Sequence, residues 1–213
     1  MRKDIIQNWA IQNGVNITNE QFEKFLAFQQ KVLDANTSRM NLTAITSDED
    51  FAVKHFIDSL TVLKYIPQGA AVLDIGTGAG FPGVVLGIMR PDIRLNLLDS
   101  LKKRIHFLEE VLDSLGLDKV ECVPTRAEEW ARVGVQYDVC TARAVAKMDK
   151  LAKYALPLVR PGGVLLAMKG SDVTQELEDA QAALVKYGGV VKSVDVVKIS
   201  SEIEHSIVVV EKG

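Results

Sequence analysis

The stretch Asp74–Gly83, which reads DIGTGAGFPG, decides the fold. It contains four glycines in ten residues and lies between apolar runs at 70–73 and 84–89. A glycine-rich turn between a buried strand and a helix lets the backbone approach a ligand closely, as in Rossmann-like α/β proteins. The stretch therefore predicts a strand, a ligand-binding loop and a helix in that order.

Strand and helix patterns alternate through the rest of the chain after residue 70, and several strands are continuous apolar runs, which indicates strands covered on both faces. Strands are predicted at Ala70–Ile75, Arg94–Leu98, Val120–Pro124, Tyr137–Thr141, Val164–Met168, Val190–Val197 and Ser206–Val210. Helices are predicted at Pro82–Met89, Leu101–Leu115, Met148–Leu156 and Val173–Lys186. Only a turn separates the last two strands, so we expect a mostly parallel seven-stranded sheet with an antiparallel last strand.

The first part of the chain has a different pattern. Helix-start signals occur at Thr18 and Ser47, each followed three residues later by a side chain that can complete a cap. The segment Pro67-Gln68-Gly69 then interrupts the helical pattern. The sequence predicts an N-terminal helical extension at 1–66 and a Rossmann-like domain at 67–213.

Composition narrows the class of protein. The 213 residues are 47% hydrophobic and 25% charged, with a net charge of −3, and two cysteines form no disulfide framework. No transmembrane run or signal peptide is evident, so we expect a cytoplasmic protein without a membrane partner, and a monomer. Six basic residues against one acid between 139 and 170 predict a local basic face. No cluster has metal-ligand spacing, so we expect no metal.

The glycine loop fits two classes of adenosine ligand. The pattern G-x-G-x-x-G at 78–83, with Asp99 about 20 residues after the loop, matches a dinucleotide site and permits an NAD-dependent oxidoreductase. Asp74 would repel a pyrophosphate, and Pro82 lacks a backbone N–H that a phosphate would use. Both residues favour S-adenosylmethionine, which has no phosphate and carries two cationic groups, with Asp99 accepting from the ribose hydroxyls.

Seven segments resemble, in this order, the ribosomal RNA small-subunit methyltransferase G family, also called glucose-inhibited division protein B. They are NLTAI, KHFIDSL, DIGTGAGFPG, LLDSLKKRIHFLEEV, TRAEEW, YDVCTARAVA and LVRPGGVLLAMKG. The resemblance implies a class I, Rossmann-like methyltransferase fold with an N-terminal helical extension. It also implies methylation by S-adenosylmethionine of N7 of one guanine, at position 527 in the 530 loop of bacterial 16S ribosomal RNA. A non-catalytic ribosome-assembly factor with the same fold is the remaining alternative.

The resemblance and the strand ends together give the expected cofactor site. Loops after the first four strands supply the expected contacts, with Glu128 near the adenine and Arg143 near both cofactor and target base. For Arg143 and Glu128, a purely structural role is the alternative. The expected cofactor-binding residues are Asp74, Gly76, Gly78, Gly80, Phe81, Asp99, Ala127, Glu128 and Arg143.

The chemistry expected after the fourth strand requires no general base. The stretch Thr141–Ala144 stands where amine methylases often carry [ND]-P-P-[YF]. Guanine N7 is an unprotonated ring nitrogen with a free lone pair, so no proton must leave when the bond forms. We therefore expect an in-line displacement whose rate depends on the alignment of the reacting atoms. Arg143 is expected to position the substrate and not to act as a base, because its guanidinium stays protonated.

Polar residues at the loop ends and in the extension are expected to contact RNA within the small ribosomal subunit or an assembly intermediate. For each, a structural role or an ordinary solvated side chain is the alternative. These residues are Asn41, His55, Lys102, Arg126 and Lys169. One departure from the family is that residues 201–206, before the final strand, contain no arginine, and His205 replaces one only in part.

Overall fold

A computed structural model describes residues 1–37 and 40–213, which form an α/β fold around one central sheet. The strands of the described residues are β1 Ala71–Ile75, β2 Arg94–Leu98, β3 Val120–Val123, β4 Tyr137–Arg143, β5 Val159–Lys169, β6 Gly189–Lys198 and β7 Glu204–Lys212. Their order is β3-β2-β1-β4-β5-β7-β6. The predicted seven-stranded, doubly wound sheet is confirmed.

The last strand runs against its neighbours, as predicted. β7 pairs antiparallel with both β5 and β6, whereas the β3-β2-β1-β4-β5 pairs are parallel. β5 begins at Val159, five residues earlier than predicted, because Val159 pairs with Tyr137 before the register shifts. β4 continues to Arg143, two residues beyond its predicted end.

Helices cover both faces of the sheet. They are α1 Lys3–Gln12, α2 Asn19–Thr37, α3 Asp48–Phe51, α4 Asp58–Leu60, α5 Gly83–Met89, α6 Lys102–Leu115, α7 Ala127–Ala131, α8 Met148–Ala155 and α9 Thr174–Lys186. A π-helical turn, Ala52–Ile57, joins α3 to α4. Short 3-10 turns lie at Leu63–Tyr65 and Leu156–Leu158. The sequence pattern missed α7, which has only five residues.

The buried apolar residues form two cores, each of which contains a different set of helices. One core contains residues of α2, α5 and α6 with the π-helical turn, and the other contains residues of α7, α8 and α9. Phe25, Phe28, Phe51 and Phe56 of the N-terminal segment are fully buried in the first core, and Phe28 contacts Phe81 of the glycine loop at 4.8 Å between ring centroids. The N-terminal helices therefore pack directly on the loop that is expected to bind ligand; the division at 66/67 stays a prediction.

The carboxyl edge of the sheet gathers the loops that carry the candidate residues. β1 and β4 are adjacent, while the chain leaves β1 toward β2 and leaves β4 toward β5. The strand order thus reverses between β1 and β4, which is where open α/β sheets bind their ligands. Because β7 is antiparallel, its first residues lie at this same edge, with Ser206 opposite Lys169.

Candidate active site

The glycine loop folds tightly after β1 and lies under the loop that follows β4. Gly76 has a left-handed φ of +66°, and its N–H donates to the Leu98 carbonyl at 2.8 Å. A Cβ at Gly76 would lie 2.8 Å from a methyl carbon of Val145. Glycine at 76 is therefore required by both backbone angle and space. Gly78 and Gly80 continue the loop toward α5.

Asp74 is fully buried and holds the loop against α5. Its carboxylate accepts from the Gly83 N–H at 2.9 Å and from the Thr141 hydroxyl at 2.8 Å. Burial raises the pKa of Asp74 to about 6, against hydrogen bonds that lower it. A Cβ at Gly83 would lie 2.7 Å from the same carboxylate, so glycine at 83 allows this approach.

This placement gives Asp74 a structural role that the sequence did not indicate. Its carboxylate is fully buried against the start of α5, and its direct contact with a cationic cofactor stays a prediction. Asp74 does occupy an amide at the helix start where a pyrophosphate would bind, and Pro82 supplies no N–H there. Neither group can therefore donate to a pyrophosphate, and this counts against a dinucleotide ligand.

Asp99 links the glycine loop to the start of α6. Its carboxylate accepts from Leu101 N–H at 2.8 Å, from Gly78 N–H at 3.1 Å and from the Arg104 guanidinium at 3.2 Å. A carboxylate can accept about four hydrogen bonds, and these three leave one acceptor direction. The predicted contact with a ribose hydroxyl is compatible with that remaining direction.

The loop after β3 provides the next part of the edge. Ala127 is buried at the start of α7, whereas Glu128 is partly exposed and Arg126, at the helix N-cap, is exposed. The backbone of Arg126 is extended there. This places Glu128 in the first turn of α7, at the same edge as Asp99.

Arg143, the last residue of β4, ties the sheet to the N-terminal extension. Its guanidinium donates to the Lys54 carbonyl at 2.8 Å and to the Asp58 carboxylate at 2.9 Å, and one Nη lies 3.3 Å from Nδ1 of His55. Its guanidinium carbon lies 5.5 Å from the centroid of the Phe81 ring. The π-helical turn supplies Lys54 and His55, so the helical extension completes the surroundings of Arg143.

His55 is buried rather than open to RNA. Its ring stacks on Phe81 with 4.4 Å between centroids and 7° between planes, and Nε2 lies 2.9 Å from the Thr43 hydroxyl. Burial, together with the positive charge of Arg143, lowers the pKa of His55 to about 3, so the ring is neutral. Because Arg143 can only donate, we assign Nδ1 of His55 as acceptor and Nε2 as the protonated nitrogen.

Two of the predicted residues are buried by this packing. His55 is 6% exposed and lies against Arg143 and Thr43, and its contact with RNA stays a prediction. Phe81 is 3% exposed, with its ring among the phenylalanines of the extension, and its contact with a cofactor stays a prediction.

His205, which precedes the predicted final strand, lies beside this group. Its Nδ1 lies 2.8 Å from Oδ1 of Asp58, whose other oxygen accepts from Arg143. Asp58 is 1% exposed, and although burial raises its pKa, the His205 hydrogen bond and Arg143 together hold the pKa below its usual range. The antiparallel direction predicted for β7 was the signal that could have brought His205 to this edge.

Lys169 is engaged inside the protein. Its ammonium donates to the Ala146 carbonyl and to the Glu176 carboxylate, each at 2.6 Å, and its side chain is 12% exposed. Lys169 thus forms an internal ion pair, and its predicted contact with a phosphate stays a prediction. Lys102 and Asn41 are exposed, and Asn41 has a left-handed φ of +46°.

The structure thus brings the predicted residues into two groups and leaves others on the surface. Gly76, Gly78 and Asp99 form one group, and Arg143, His55 and Phe81 form the second. Asn41, Lys102 and Arg126 stay exposed without a side-chain partner in the bonds described. Across 1–37 and 40–213, no cluster of three or more His, Cys, Asp or Glu could hold a metal, and no helix is long and apolar enough to cross a membrane.

A family model described as rRNA small subunit methyltransferase G (GidB) matches residues 21–207. The chain belongs to this family. A relative from Alkaliphilus metalliredigens, named Ribosomal RNA small subunit methyltransferase G, is 40% identical over 99% of this chain and 90% of its own length. Relatives of the same name from Clostridium perfringens and Leuconostoc citreum are 38% and 41% identical, covering 98% and 93% of this chain and 90% and 86% of their own lengths.

Solved structures support the fold at lower identity. A precorrin-6y C5,15-methyltransferase from Geobacter metallireducens has a TM-score of 0.57 at 18% identity and covers 79% of this chain and 90% of that one. A NADB-Rossmann superfamily protein from Streptococcus agalactiae also gives 0.57, at 16% identity, over 73% and 68% of the two chains. These likenesses confirm the predicted Rossmann-like fold, and membership of the methyltransferase G family confirms the resemblance seen in the sequence motifs.

Proposed function

We propose that this protein methylates N7 of one guanine in 16S ribosomal RNA with S-adenosylmethionine as methyl donor. The chain belongs to the methyltransferase G family. The observation that supports the proposal most directly is that Asp58 and His55 hold Arg143 beside the glycine loop. This arrangement provides a positioned hydrogen-bond donor next to the loop proposed to bind the cofactor. Asp58 and His55 already hydrogen-bond the guanidinium, so its position is fixed before a substrate binds.

The residues of the first group fit S-adenosylmethionine. Asp99 keeps one acceptor direction for a ribose hydroxyl. Glu128 and the Ala127 backbone, in the first turn of α7, are the groups that we propose contact the adenine edge. The partly exposed glycines Gly76 and Gly78 have no side chain, so their backbone can approach the methionine part of the cofactor closely. When bound, S-adenosylmethionine supplies the methyl group on a sulfonium, which makes the transfer a displacement at carbon.

The chain's own part in the reaction is alignment. Guanine N7 has a free lone pair, so no side chain needs to remove a proton. A guanidinium has five N–H donors, and the bonds to Lys54, Asp58 and His55 use three of them. The two remaining donors of Arg143 can hold guanine O6 or a nearby phosphate, so that N7 faces the methyl carbon in line with sulfur.

RNA contacts are proposed at the exposed polar residues that surround the site. Asn41, Lys102 and Arg126 are exposed near the carboxyl edge, and Lys147 and Lys150 extend the positive surface along the start of α8. A chain with a net charge of −3 and only this local basic surface should bind naked RNA weakly. We therefore propose that the substrate is a small ribosomal subunit or an assembly intermediate. We also propose that the protein acts on it as a monomer in the cytoplasm.

Transfer of a labelled methyl group to small subunits that lack the modification tests this proposal. We expect incorporation into subunits at physiological salt and much less into protein-free 16S RNA. A thermal shift on adding S-adenosylhomocysteine, with none on adding NAD, is expected in parallel. Stabilisation by NAD alone would indicate an oxidoreductase, whereas cofactor binding without incorporation would favour a non-catalytic assembly factor.

A further inference from the structure

We propose that Lys169 is a positioning residue that, with Glu176, clamps the loop between β4 and α8 for methyl transfer. This loop, residues 144–147, follows Arg143 directly and begins α8 at Met148. The inference rests on the proposed function and adds a positioning pair to it.

The loop makes a close contact with the glycine loop. Ala144 has a left-handed φ of +56°, which is uncommon for a residue with a side chain and often marks a functional segment. That turn directs Val145 onto Gly76, where a Cβ would lie 2.8 Å from the valine methyl. Val145 is nevertheless 37% exposed, so an apolar side chain lies partly open to solvent beside the glycine loop.

Both ends of the loop are anchored to other elements. At the first end, Arg143 is held by the extension through Lys54 and Asp58. At the second end, the Lys169 ammonium donates to the Ala146 carbonyl, and the Glu176 carboxylate accepts from the Met148 N–H, each at 2.6 Å. Lys169 and Glu176 also pair with each other at 2.6 Å. The clamp therefore joins the end of β5 and the start of α9 to the loop.

The geometry separates this role from a phosphate contact. An ammonium has three N–H donors, and Lys169 uses two of them on groups of its own chain. Its side chain is 12% exposed and that of Glu176 is 26% exposed, so solvent screens the pair incompletely. Removal of either side chain leaves the other without its partner and frees one end of the loop.

A loosened loop should impair alignment more than binding. Methyl transfer requires N7, carbon and sulfur in line, and a misplacement of about 1 Å can cost about a hundredfold in rate. Val145 lies on the freed part of the loop, against Gly76, whereas Asp99, which holds the cofactor side of the site, follows a separate strand, β2. The expected signature is a loss in kcat with cofactor affinity retained.

The test compares Lys169→Gln, Glu176→Gln and the double variant in steady-state methylation of small subunits. We expect each single variant to lower kcat by about tenfold or more, with KM for subunits and Kd for S-adenosylhomocysteine changed by less than about twofold. The double variant should be no slower than the slower single one, because both side chains act as one clamp. Lys169→Arg should recover part of the rate.

The matched controls are Lys192→Gln and Glu211→Gln, which break an ion pair of 3.3 Å between two exposed side chains on β6 and β7. These variants should leave kcat and KM unchanged. A phosphate contact by Lys169 would give a different result: Lys169→Gln would raise KM, reduce the salt slope by about 0.7–0.9, and combine additively with Glu176→Gln. That result would overturn the clamp.

Hydrogen exchange at the Met148 amide separates this inference from the proposed function. In the wild type this amide donates to Glu176, so Glu176→Gln and Lys169→Gln should speed its exchange while Lys192→Gln should not. If the wild type methylates no subunits, the proposed function fails but this exchange measurement still tests the clamp. Unchanged Met148 exchange in both clamp variants would refute the clamp whatever the activity.

Discussion

Replacement of Asp58 by asparagine is the most informative perturbation of the site. Asp58 is 1% exposed and its two carboxylate oxygens accept separately from Arg143 at 2.9 Å and from His205 at 2.8 Å. Asp58→Asn preserves the shape of the side chain, removes its charge and leaves an accepting oxygen at only one of the two positions that Arg143 and His205 face. Arg143 would then lose its carboxylate partner inside the protein.

The expected cost follows from burial. Removing one partner of a buried ion pair typically costs about 3–5 kcal/mol. The Arg143 side chain is 19% exposed and the amide still accepts one hydrogen bond, so we expect a loss in the free energy of unfolding of about 2–3 kcal/mol. We also expect kcat on small subunits to fall about tenfold to a hundredfold, since Arg143 is no longer fixed beside the glycine loop.

Urea unfolding measures the loss in the free energy of unfolding, and methylation kinetics at temperatures below the unfolding transition measure kcat. Asp50→Asn is the matched control, because Asp50 pairs with Lys54 on the same helical segment while both side chains are at least 40% exposed. That surface pair should contribute about 0–1 kcal/mol. A loss below about 0.5 kcal/mol in Asp58→Asn, with an unchanged kcat, would refute the reasoning, since surface substitutions commonly give such values.

The pH dependence supplies a further check on Asp58. Its pKa in the folded protein is lowered, so the stability it contributes is present above its unfolded pKa of about 3.9 and is lost as the pH falls through the folded value. The difference in unfolding free energy between the wild type and Asp58→Asn should therefore narrow below about pH 4. A difference that widens on acidification would contradict the assigned direction.

Three other predictions concern the glycine loop and His55. Gly83→Ala should lower the free energy of unfolding by about 1–3 kcal/mol, because its Cβ would lie 2.2 Å from Leu97 and 2.7 Å from Asp74. It should also weaken the binding of S-adenosylhomocysteine measured by calorimetry. An unchanged free energy of unfolding would contradict this prediction. The pKa of Asp74 is raised to about 6, so stability should fall as pH rises from about 4 to 6, and Asp74→Asn should flatten that part of the profile. Burial lowers the pKa of His55 to about 3, so its ring NMR shifts should stay constant from about pH 5 to 8, and a titration there would show that the ring is accessible.

The strand ends were predictable from the sequence because strand period and apolar runs are local signals. Asp74 and Asp99 each close an apolar run, and Arg143 closes the fourth, so their meeting at one edge follows from a parallel sheet. The glycine pattern also indicated where the backbone would be open. These features depend on residues close together in the chain.

The partners of those residues were not predictable in the same way. Asp58 and His205 are 147 positions apart and meet only because the extension packs on the sheet and β7 returns antiparallel. His55 is polar and follows a lysine, yet its stacking on Phe81 buries it. Charge counting similarly treated Lys169 as available, because the start of α9 that supplies Glu176 is placed by tertiary packing and not by sequence pattern.

The measurement that tests the account most directly is the position of the transferred methyl group. Small subunits lacking the modification are incubated with the enzyme and S-adenosylmethionine, and N7-methylguanine in 16S RNA is located by reduction and strand cleavage at the modified base. We expect one cleavage at a single guanine, which is lost with Arg143→Ala at saturating S-adenosylmethionine. Methyl groups on an exocyclic amine or a ribose, or cleavage that persists undiminished in Arg143→Ala, would contradict it.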